Sequence, residues 1–117
     1  MPLTPTPKGY PIKLVRDRTA EIVNPSGEPG DLWYERLEVA DSETRIRLLR
    51  LKLAEEVGEY LIDGGLDELA DVLAVVEALA VGHGSTLRDL EAKMQDDPRG
   101  GFRSAVVMYG RHPEYDR

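Results

Sequence analysis

The chain has 117 residues and a mass of 13.0 kDa, with 15 Lys and Arg against 22 Asp and Glu, a formal charge of −7 at pH 7 and a pI near 4.8. That length suits one domain, residues 1–117, whose core is modest because a chain of this size buries only roughly 65% of the surface its unfolded form exposes. The lack of cysteine excludes a disulfide scaffold, a thiolate nucleophile and zinc–thiolate or iron–sulfur sites, and the acidic balance argues against a nucleic acid polymer as partner.

Prolines at positions 2, 5, 7 and 11 predict an extended arm over residues 1–11, because each removes an amide donor and fixes φ. No apolar run there or elsewhere approaches 18 residues, so neither a signal peptide nor a membrane span is expected, and a soluble, cytoplasmic protein is. Leu14, Val15, Ile22 and Val23 suggest a first helix over residues 13–23, ended by the turn-forming stretch 24–30. Residues 31–40 are ambiguous between strand and helix, with Trp33 and Tyr34 as docking aromatics.

A long helix is predicted from the caps Asp41 and Ser42 to about Asp63, where Gly64 and Gly65 stop it. At about 100° per residue, Ile46, Leu49, Leu53, Val57, Tyr60 and Leu61 share one arc, and Leu48, Leu51 and Ile62 share another nearly opposite. Such a helix has one face for its own core and one for a partner chain. Between them runs a polar seam of Arg45, Lys52, Glu56, Glu59 and Asp63. The next helix, residues 66–81, is apolar almost all round from Val72 to Ala80 and is therefore expected to be the most buried. Thr86 and Asp89 form a capping-box pattern that opens a further helix to about Asp97. Pro98, Gly100 and Gly101 end it. The apolar run 105–108 suits a strand or an extended docking segment, followed by a polar tail over 110–117.

The chemically informative feature is a pair of acidic blocks, Glu56 with Glu59 on the long helix and Glu68 with Asp71 on the next. Residues three apart on a helix are neighbours, and a Gly-Gly connection makes the two helices antiparallel, so the four carboxylates can converge. At about 5 Å and an effective dielectric near 20, each pair repels by about 3 kcal/mol, which favours a neutralising divalent cation. An all-oxygen donor set selects a hard ion, Mg²⁺ with Mn²⁺ as a substitute. Glu55 lies beside the second apolar face, either salt-bridged at a subunit contact or placed to orient and deprotonate water. Taken singly, either block also suits a solvated helix face, and acids at 68 and 71 suit the positive end of a helix dipole. His83 and His112 carry no catalytic pattern.

The runs Lys13-Leu14-Val15-Arg16-Asp17-Arg18, Lys52-Leu53-Ala54-Glu55-Glu56-Val57-Gly58-Glu59, Glu68-Leu69-Ala70-Asp71-Val72-Leu73, and Lys93 followed by Arg99-Gly100-Gly101-Phe102, resemble in that order the MazG-like all-α nucleoside triphosphate pyrophosphohydrolases. More narrowly, they resemble the branch related to phosphoribosyl-ATP pyrophosphohydrolase. The resemblance spans about residues 14–109. It implies an all-α bundle of about four helices, oligomeric as a homodimer or dimer of dimers through the shared face. It further implies Mg²⁺ ligands at Glu56, Glu59, Glu68 and Asp71, and Glu55 as the acid that activates water, which makes Glu55, Glu56 and Glu59 the catalytic set.

By the same resemblance Lys13, Arg16, Arg18, Lys93, Arg99, Gly100 and Gly101 would meet the phosphates, and a nucleoside triphosphate would be split into monophosphate and pyrophosphate, as in nucleotide-pool house-cleaning. Two departures stand out. The connection from Glu59 to Glu68 is short, and Gly58 inside the acidic helix costs roughly 1 kcal/mol relative to alanine. Trp33, Tyr34 and Tyr109 can stack on a base or pack in a core. The alternatives are phosphoribosyl-ATP as substrate, or a helical regulatory module whose acids are only a solvated seam.

Overall fold

The computed structural model describes residues 14–19 and 39–110. The arm over residues 1–11, Trp33 and Tyr34, His112 and residues 111–117 of the tail lie outside the described residues, as does most of the expected first helix. Where that helix is described it starts late. Leu14, Val15 and Arg16 carry no regular structure, Asp17 and Arg18 form a turn, and helical conformation begins at Thr19, whose amide donates to the Arg16 carbonyl at 3.0 Å.

Three helices follow: α1 (Ser42–Asp63), α2 (Leu66–Gly82) and α3 (Leu87–Gln95). No strand occurs among the described residues, so the described fold is all-α. Each boundary has a local cause. The Asp41 carboxylate accepts from the Thr44 amide at 2.8 Å and caps α1. At the other end Gly64 takes φ +65°, a left-handed conformation that costs glycine nothing, and its amide closes onto the Tyr60 carbonyl at 2.7 Å. Thr86 Oγ1 accepts from the Asp89 amide at 3.1 Å to open α3. The capping box is only half made, because the Asp89 carboxylate takes the Ser85 hydroxyl instead, at 2.9 Å.

α1 and α2 pack along each other, and α3 folds against α2. The start of α1 meets the end of α2 so closely that a Cβ on Gly82 would strike the Ile46 side chain. Leu49, Val75 and Ala80 form the buried core, joined by Thr44 and Glu56. On the second arc of α1, Leu48 is half-buried, while Leu51 is 65% exposed and Ile62 85%. Leu61, placed by periodicity on the inner arc, is exposed too.

α2 is less buried than its composition predicts. Leu66, Leu69, Leu73 and Val81 are exposed, because among the described residues α1 and α3 cover one side of a helix that is apolar almost all round from Val72 to Ala80. After α3, Phe102 and residues 105–109 run without regular structure and fully on the surface, so the docking segment is extended but docked on nothing among the described residues. No single described helix is long and apolar enough to cross a membrane.

Candidate metal centre

The three glutamates of α1 form the site. Each of Glu55, Glu56 and Glu59 offers one carboxylate oxygen, and these atoms lie within 4.8 Å of one another. Glu55 is half-buried, Glu56 buried and Glu59 exposed, so the group runs from the helix interface out to solvent.

Glu56 is the unusual member. A carboxylate is almost never buried without compensation, yet Glu56 is only 7% exposed. At about 100° per residue it sits about 20° from Leu49, inside the arc that faces α2 rather than beside it. Its Oε1 receives the Lys52 ammonium at 3.2 Å. Its Oε2 is buried and accepts no hydrogen bond. Lys52 also reaches Glu55 Oε2 at 3.3 Å. Among the described residues this stripe of α1 gathers three carboxylates around one ammonium.

Glu59 reports that excess charge. Its carboxyl is held above its ordinary value, first by the negative charge of Glu56, then by partial desolvation, by a hydrogen bond shared with Glu56 and by the charge of Glu55, with Lys52 pulling the other way. The negative charge that raises the proton affinity of Glu59 also attracts a hard cation. The buried, unpartnered Glu56 oxygen beside two further carboxylates fits an oxygen-selecting divalent ion.

The acids of α2 are engaged elsewhere. Glu68 folds back over the helix start, where its carboxylate blocks the space a side chain on Gly65 would need. That placement satisfies the positive end of the α2 dipole. Asp71 pairs with Arg16 from the segment 14–19. Neither joins the group formed by the three α1 glutamates among the described residues. The structure therefore brings together Glu55, Glu56 and Glu59, and holds Glu68 and Asp71 one helix away.

The basic residues are dispersed. Lys13 lies outside the described residues, Arg16 sits on Asp71, and Arg18 is exposed in the turn that precedes Thr19. Arg99 folds onto Asp97, donating through its amide at 2.9 Å, Nε at 3.0 Å and a terminal nitrogen at 2.8 Å. These bonds hold the Asp97 carboxyl well down, at about 2. Gly100 has φ +76° and its amide bonds the Asp97 carbonyl at 3.0 Å, while Gly101 lies in the open turn beside it. Lys93 lines a groove of about 460 Å³ between the helices, with His83 and the apolar Leu53, Val76, Leu79 and Leu90. Tyr109 is fully exposed.

Lys52 is the residue whose part sequence reasoning missed. It was visible as a member of the polar seam, and its spacing of three and four residues before Glu55 and Glu56 is the signal for both ion pairs. Compared with family models, curated proteins and solved structures, the chain finds no match in any of the three.

Proposed function

We propose that the chain is a Mg²⁺-dependent nucleoside triphosphate pyrophosphohydrolase. The observation that carries the reading is the buried Glu56, which has one oxygen without a hydrogen-bond partner and stands in one group with Glu55 and Glu59. The ordered acidic and basic blocks of the sequence, which resemble the MazG-like enzymes, give that site its substrate class. Glu56 and Glu59 would hold the ion, with Glu68 or Asp71 recruited from α2 by a change of rotamer. A bound Mg²⁺, with Mn²⁺ as its substitute, would supply charge neutralisation for the triphosphate oxygens.

Glu55 takes the role of base. It accepts the proton of a water that adds to the first phosphorus, the bond to the second phosphate breaks, and pyrophosphate leaves. The active form would be a four-helix bundle that counts the helix expected over residues 13–23 as its fourth member. It assembles as a homodimer or dimer of dimers through the face of Leu48, Leu51 and Ile62, where Leu48 is half-buried and Leu51 and Ile62 are exposed.

The test is release of pyrophosphate and phosphate from a nucleotide panel that includes phosphoribosyl-ATP, with Mg²⁺, in wild type and Glu59→Gln. The reading expects pyrophosphate from the wild type and a large loss in the variant. Equal release by both proteins would remove Glu59 from the chemistry, and no release from any nucleotide would favour a helical regulatory module.

A further inference from the structure

Lys52 lies in the middle of the acidic stripe, and two effects of opposite sign attach to it. As a positive charge beside a cation site it opposes the ion, so its removal should tighten binding. As a group that holds ligating carboxylates in place it supports the ion, and losing such partners typically weakens metal affinity by about 10–100-fold.

The division of the two Glu56 oxygens decides between them. A stand-in for the cation would sit on the oxygen the cation needs. Lys52 instead takes Oε1, at 3.2 Å, and leaves Oε2 without a partner. Its second contact, 3.3 Å to Glu55 Oε2, ties down the neighbouring carboxylate in the same way. The lysine side chain is itself only 18% exposed, so packing limits its freedom.

We propose that Lys52 is a positioning residue of the cation site, gripping Glu56 Oε1 and Glu55 Oε2 so that Glu56 Oε2 is aimed at the ion. The inference rests on the cation reading of the cluster given above. It gives the site a built-in cost, since the charge that orients the ligands also repels what they bind. The net effect is set by geometry, because a carboxylate that must be re-oriented at each binding event loses more than one weakened by a neighbouring ammonium.

The experiment is Mn²⁺ binding to the full chain by electron paramagnetic resonance, in wild type, Lys52→Met and Lys52→Gln, with circular dichroism to confirm that helix content is kept. The expected result is saturable binding by wild type and a loss of about 10–100-fold in Lys52→Met, although that change removes a positive charge. Lys52→Gln keeps a donor for Glu56 and should lose less. Affinity in Lys52→Met equal to or tighter than wild type overturns the inference while leaving the cation site standing. Absence of saturable Mn²⁺ binding by wild type overturns both. Should Lys52→Met not fold, Lys52→Gln decides in the same way, with weaker binding expected and unchanged or tighter binding as the refutation.

Discussion

Glu56→Met separates a carboxylate kept for a cation from one kept for the fold. In the metal-free protein the substitution removes a buried oxygen that has no partner, a defect that costs about 1–3 kcal/mol. It also removes the ion pair with Lys52, but Lys52 retains Glu55 at 3.3 Å and is not left as a lone buried charge. Deleting one half of a buried pair is costly where it strands the other charge, and Glu55 prevents that here.

The expected balance is a gain of about 1 kcal/mol, read as a rise in Tm of about 4 °C or more for a domain of this size. The assay is thermal unfolding followed by circular dichroism, in a chelator and in excess Mg²⁺. Wild type should gain stability with Mg²⁺, by about 1.4 kcal/mol for each tenfold excess over Kd, and Glu56→Met should gain none. A loss of about 3–5 kcal/mol in the chelator, as when one half of a buried pair is deleted, would show that the fold itself depends on the charge. An undiminished Mg²⁺ response would show that the ion binds elsewhere.

Three further perturbations test the surrounding structure. A Cβ on Gly58 would meet nothing within 4 Å, so Gly58→Ala should raise stability in urea unfolding of the dilute chain by about 1 kcal/mol, and a loss would reveal something packed on that side of α1. Arg99→Ala should return the Asp97 carboxyl from about 2 toward 3.8 in an NMR titration. Because the folded value lies below the unfolded one, Asp97 contributes stability above about 3.8 that is lost as pH falls toward 2, and the variant, which keeps only the amide bond from position 99, should show a shallower slope. Glu59 has the opposite sign. Its folded value is raised, so its contribution is most favourable below the ordinary 4.5 and is lost as pH rises through the raised value, and metal-free Glu59→Gln should show a flatter profile across that window. An unchanged profile would mean that Glu59 does not feel Glu56.

What the sequence made legible was whatever short-range chemistry decides. Asp41, Gly64 and Thr86 set helix ends through bonds to residues three or four away, and all three ends fall where those residues stand. The inward position of Glu56 was legible too, from its angle to Leu49, but its polarity assigned it to a seam rather than the interface. The partners of Asp71 and Glu68 were not legible. Asp71 meets Arg16 across 55 positions of chain, and Glu68 folds over its own helix start, a competition between local and convergent placement that spacing alone does not rank. The exposure of Leu66 and Leu73 escaped for another reason: a largely apolar helix says that it wants cover, and the described helices supply it on one side only.

The most direct measurement is a crystal of the protein soaked in Mn²⁺ and recorded at a wavelength where manganese scatters anomalously. The account predicts an anomalous peak about 2 Å from Glu56 Oε2, bridged to Glu59 and displaced by Mg²⁺. A map without a peak there, or with the ion held by other residues while Glu56 stays bonded only to Lys52, would contradict it.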